Sequence, residues 1–197
     1  MRRSLISLYV LLTTRLPIPK GLLARAIAVI FTYTAALAIV PQLALNIAVA
    51  MGLAATLWVR LPQAWFEGEN RDASTGATIL AVSLSLIAIC LFLPANMVQI
   101  SISLGFFVMA ALYGLIWAVD PDMLDKMGWD VNSWGVEGRA NAVRWQVVRS
   151  AALGVANAYT ASNLIPHEWI VAHAILPLAA YYLYHWTVLS THPHDDP

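Results

Sequence analysis

Apolar residues in this chain come in long unbroken blocks rather than in the alternating pattern of surface strands or the one-sided stripe of soluble helices. Two blocks, Met97–Val119 and Glu168–Ser190, each exceed the ~20 residues that a membrane-crossing helix needs. A third, Gly76–Leu93, reaches the lower limit and stops at Pro94. A fourth, Trp145–Leu164, is apolar but carries Asn157, Tyr159, Thr160, Ser162 and Asn163. The remaining block has no charge between Arg25 and Arg60. As one straight helix it would run roughly 55 Å, against a hydrocarbon layer of ~30 Å. Pro41-Gln42 lies at its middle, where a helix breaks because proline lacks an N–H and clashes with the preceding turn. The pattern therefore predicts six helices, over 24–40, 43–59, 76–93, 97–119, 145–164 and 168–190. A re-entrant hairpin is the alternative for the first two. The expected fold is all-α, a polytopic bundle in a single transmembrane domain over 24–190.

Composition agrees with that pattern. Apolar residues are 60% of the 197 and charged residues 11%, where soluble domains carry roughly a quarter. Mean hydropathy is +0.69. A water-soluble chain of this length has too little interior to hide that much apolar surface. The low charge excludes intrinsic disorder. Eleven basic and eleven acidic residues cancel, so overall charge points to no nucleic-acid partner. The lone cysteine, Cys90, can form no internal disulfide, and no Cys/His framework for zinc is present.

Charge placement supplies the orientation. Loops on the cytoplasmic side of a membrane carry the excess of Lys and Arg. Arg2, Arg3, Arg15, Lys20 and Arg25 fall before or at the start of the first helix. Arg60 and Arg71 fall between the second and third, and Lys126, Arg139, Arg144 and Arg149 between the fourth and the fifth or just inside it. The turns at Pro41, Pro94 and Pro166 carry none. With six helices all eleven basic residues share one side, whereas fusing the first block into one helix would scatter them. Both termini are expected in the cytoplasm of a cell with a bacterial-type inner membrane.

Residues 1–23 contain two arginines and a short apolar run, Leu5–Leu12, but no small-x-small cleavage site. They are expected to lie as an interfacial helix at the headgroups. The largest polar piece is Asp120–Val143, with Trp129 and Trp134 as surface anchors, and 191–197 forms a short cytoplasmic tail.

Catalytic signatures are missing: the chain has no GxSxG, HExxH, phosphate loop, CxxC or GxGxxG. No acidic residue falls in the interior of a predicted helix, which excludes paired carboxylates at depth and the ion-coupled designs that use them. No catalytic residue, metal site or cofactor is expected. Two polar clusters, Glu67–Asp72 and His192–Asp196, have metal-ligand chemistry but read better as a solvated turn and a frayed tail. In helix five, Gly154 and Ala158 have the small-xxx-small spacing that lets helices approach closely. Asn157 and Thr160 lie on one face beside them. In helix six, His173 and His185 are ionisable groups within an apolar segment. Asn157, Tyr159, Thr160 and His173 form the candidate ligand-binding set. Antiparallel packing of helices five and six about Pro166 puts Asn157 and His173 at nearly equal depth, and a direct or water-bridged contact between them is expected. Cys90 is expected to be a packing or lipid-facing thiol.

In layout and in some short runs the chain resembles, distantly, the intracellular septation protein A family of bacterial inner-membrane proteins. The runs are Gly154-Val-Ala-Asn157-Ala-Tyr159-Thr-Ala161, Trp169-Ile-Val, Trp58-Val-Arg60, Asp122-Met-Leu-Asp-Lys126-Met-Gly128 and Arg144-Trp145. The likeness covers about residues 43–190. It departs at Ala172 and His173, where the family continues Phe-Lys. The resemblance implies a non-enzymatic inner-membrane protein acting through protein partners in septation or cell-envelope synthesis, in contact with the lipid bilayer. Two other readings stand beside it. One is a membrane enzyme or carrier for a small lipid or apolar metabolite, using the polar interior of helices five and six. The other is an accessory subunit of a larger membrane complex.

Overall fold

The computed structural model describes Tyr9 and residues 20–66, 73–119 and 135–191. Among these residues the regular structure is helical throughout, with six α-helices: α1 (Lys20–Ile39), α2 (Ala44–Phe66), α3 (Ala73–Phe92), α4 (Ala95–Val119), α5 (Gly135–Asn163) and α6 (Pro166–Thr191). The breaks fall where the prolines stand. Pro41 opens a single 3₁₀ turn, Pro41–Leu43, between α1 and α2. Pro94 separates α3 from α4, and Pro166 is the first residue of α6, a position whose N–H would have no helical partner in any case. Glu168 completes that start, its Oε2 accepting from the Ile165 N–H at 3.4 Å as in a capping box.

Two boundaries differ from expectation. α1 begins at Lys20, so Arg25 stands more than a turn inside it rather than at its end. α5 begins at Gly135, ten residues before Trp145, and takes in part of the expected polar loop. Glu137 in its first turn favours the helix dipole, and Ala142 and Val143 are fully buried, so tertiary packing extends it. The remaining expectations for the N-terminal segment, the two polar clusters and the anchors Trp129 and Trp134 lie outside the described residues.

Among the described residues, three segments are long and apolar enough to cross a membrane: Lys20–Ile39, Pro41–Val59 and Ala95–Val119. Much of the apolar surface faces outward. On α3 and α4, Val82, Phe92, Met97, Ile100, Leu104 and Leu115 are each exposed, apolar side chains of the kind that lipid, not water, tolerates. Hydroxyls on the helices bond back to the preceding turn, as Thr56 does to Gly52 O at 2.9 Å and Ser85 to Ala81 O at 2.9 Å. This removes a polar group from an apolar setting without a partner helix.

The chain divides into two compact units. One gathers Ile18–Ser101 and Asn157–Leu178; the other takes in Ile102–Ala156 and the chain from Ala179. In the first, α1 and α2 form a tight antiparallel hairpin. Its seam is Ala26, Val29, Tyr33 and Ala36 on α1 against Ala44, Ala48 and Gly52 on α2. Asn46 ties α2 to the end of α3, its Nδ2 donating to Leu93 O at 2.6 Å. In the second unit, Tyr184 donates to Ala142 O at 3.3 Å, and Thr191 accepts from both Asn141 Nδ2 (3.0 Å) and Trp145 Nε1 (2.8 Å). Gly154 fits under the ring of Phe107: a Cβ there would sit 2.9 Å from it. The small-residue face of α5 therefore receives an aromatic side chain of α4.

Candidate functional site

Of the four expected ligand-binding residues, the fold keeps two inside. Asn157 is 1% exposed and His173 2%. Tyr159 is 67% exposed, and Thr160 spends its hydroxyl on the carbonyl of Asn157 at 3.0 Å. Four residues apart in a helix share a face, but 157 and 159 do not, which is why one faces in and the other out. The expected direct contact between Asn157 and His173 is not made. Asn157 donates from Nδ2 to Gln99 O on α4 at 3.1 Å, closing a helix-to-helix tie. His173 turns instead to α1.

There its Nε2 lies 2.7 Å from a terminal nitrogen of Arg25. A guanidinium has donors only, so Nε2 accepts and the imidazole proton sits on Nδ1. One turn earlier on α6, the Trp169 ring stacks on the imidazole, centroids 4.8 Å apart and planes 10° from parallel. Trp169 is 0% exposed and its Nε1 has no hydrogen-bond partner among the described residues. The arginine is half-buried, its stem passing over Gly52: a Cβ at that glycine would lie 3.5 Å from Arg25 Cγ. Pro177, four residues beyond His173, removes the N–H that would bond the His173 carbonyl, so the helix ladder is interrupted at this position.

Arg25 and Trp169 are the residues that sequence reasoning missed as site members. By its place in the sequence Arg25 counts among the charges at the cytoplasmic edge. The signals were present: an arginine bordering an uncharged run, a Trp/His pair at i and i+4, and a proline four residues on.

A second cluster lies in the other unit. Arg149 stands over the Tyr184 ring at 5.6 Å and donates to Gln146 Oε1 at 3.2 Å. His185 packs edge-on against Tyr181 and Tyr184. Among the described residues no group of three or more His, Cys, Asp or Glu could hold a metal ion. No protein-family model, curated protein or solved structure matches the chain.

Proposed function

We propose that the chain is a multi-pass protein of a bacterial-type inner membrane, crossing it six times with both termini in the cytoplasm, and that it acts by binding rather than by catalysis. One observation carries the binding reading: several interior polar side chains are engaged by neighbouring parts of the bundle. Asn157 and Tyr184 each donate to a backbone carbonyl of another helix, and Asn46 to that of Leu93 just past the end of α3. In hydrocarbon such bonds are packing glue, and groups so engaged are not free for chemistry. Work through partners in septation or cell-envelope synthesis rests on the resemblance alone.

The six-span reading has a geometric requirement. Arg25 lies sixteen residues before Pro41 and His173 seven after Pro166, about 24 Å and 10 Å along their helices. Their hydrogen bond requires that Arg25 reach outward along α1, or that α1 lean or sit displaced. Reporter fusions after Asn70 and Val131 should read cytoplasmic and one after Pro166 outside; a cytoplasmic signal at Pro166 would sink the topology. Mild-detergent isolation with mass spectrometry of copurified proteins and lipids tests the binding reading, and a purified chain with neither enriched would contradict it. A carrier or ligand-binding role is favoured by the Arg25–His173–Trp169 cluster, whose groups are not all used in packing.

A further inference from the structure

Helices α1 to α4 contain no carboxylate, and α6 contains one, Glu168 in its first turn, engaged at the helix start. Arg25 is permanently charged. A lone cation within a membrane helix costs about 2.5–3.5 kcal/mol at mid-bilayer, and such residues usually pair with acids or face a polar pathway. Arg25 has no acid beside it among the described residues. Its partner is His173, which accepts one hydrogen bond and, being neutral in that role, cancels no charge. The remaining guanidinium donors have no acceptor among the described residues. Beside it, Trp169 is a buried donor with no acceptor. The cluster thus joins a fixed positive charge with an excess of donors.

The guanidinium is also held in place. Gly52 leaves room for its stem, His173 fixes its head, and Trp169 holds the imidazole flat. Arg25 itself is only partly buried, on the side of α1 that faces its neighbours, while Leu23, Ile27 and Ile30 are exposed on the opposite side of the helix.

We propose that Arg25, positioned by His173 and Trp169, binds a phosphate-class oxyanion, carried by the headgroup of a net-anionic phospholipid. Phosphate oxygens match the planar fork of the guanidinium and supply the negative charge that His173 cannot. A net-anionic headgroup is selected over a zwitterionic one because the latter carries its own cation to the site. The proposal rests on α1 lying in the membrane; a reporter fused at the 41–43 turn that reads cytoplasmic would show the failure of that reading independently of lipid binding.

The test is thermal stability of the full chain in mild detergent against added lipid. Short-chain phosphatidylglycerol is compared with phosphatidylcholine of the same acyl length and with inorganic phosphate. Phosphatidylglycerol should raise the melting temperature saturably where the other two do not. Arg25→Gln should weaken its half-saturating concentration by about tenfold or more, the loss expected of a charge-assisted contact. Arg25→Lys, which keeps the charge but not the fork, should lose less, and Lys20→Gln nothing. Equal shifts with both lipids, or an Arg25→Gln response like that of the native chain, would overturn the proposal. Inorganic phosphate matching phosphatidylglycerol would overturn the lipid assignment. Should Arg25→Gln not fold, Arg25→Lys and Trp169→Phe decide: unchanged midpoints in both refute the site, and a loss of about twofold or more in each supports it.

Discussion

Gly52→Ala puts the α1–α2 seam to a quantitative test. An added Cβ would sit 2.5 Å from Val29 Cγ2, and 3.5 Å and 3.9 Å from Arg25 Cγ and O. Comfortable carbon contacts begin near 3.5 Å, so about 1 Å must be found. Val29 cannot supply it by rotation: it is fully buried, and valine in a helix is almost confined to one rotamer. The helices must part, at an overpacking cost of about 1–3 kcal/mol. Against this stands the gain of replacing glycine in a helix, about 1 kcal/mol. The net expectation is a loss of up to about 2 kcal/mol, a fall of several degrees in melting temperature at roughly 2–4 °C per kcal/mol. Two internal controls isolate the steric part. Gly105 and Gly114 on α4 have nothing within 4 Å of an added Cβ, so their alanine variants should melt at or above the native chain. Val29→Ala should rescue Gly52→Ala, with coupling of about 1 kcal/mol in a double-mutant cycle. Tryptophan fluorescence during heating gives the readout. A Gly52→Ala variant that melts with the Gly105→Ala and Gly114→Ala controls, uncoupled from Val29, would refute the packing described for this seam.

Three further outcomes follow from particular contacts. Removing the Asn157 tie to Gln99 O by Asn157→Ala should cost about 0.6 kcal/mol and not much above 1.7, the range for interhelical bonds in membranes. In thermal-melt cycles, Arg25→Ala with His173→Ala should couple by more than about 0.5 kcal/mol. Asn157→Ala with His173→Ala should couple less, since those two share no bond; the reverse ranking would contradict the hydrogen bonding described. Cys90 is 7% exposed in the last turn of α3, so a bulky maleimide should label it only after denaturation, and rapid labelling of the folded chain would count against its burial. Thr191→Val removes the acceptor of Asn141 and Trp145, and amide exchange over 135–145 should quicken while α1 is unaffected; unchanged exchange there would show that the clasp does not hold the start of α5.

Sequence alone determined the helical class, the number of helices among the described residues and the places where they break. Apolar run length and proline position act locally, through backbone hydrogen bonding and ring sterics, and need no partner to be read. The absence of acids from helix interiors was equally legible, because it is a property of residue order. Which polar group meets which was not. Asn157 and His173 were identified as interior residues, but their partners, Gln99 and Arg25, lie 58 and 148 residues away in the chain. A helix presents several polar groups at similar depth, and only the lateral order and rotation of the helices choose among them. The start of α5 at Gly135 was hidden for a related reason: Ala142 and Val143 are weak apolar signals, and burial against other helices supplies the stability that local propensity lacks. The role of Arg25 was decided in the same way. In the sequence it borders an apolar run and reads as an edge charge; the room left by Gly52 and the acceptor on His173 turn it into the centre of a site.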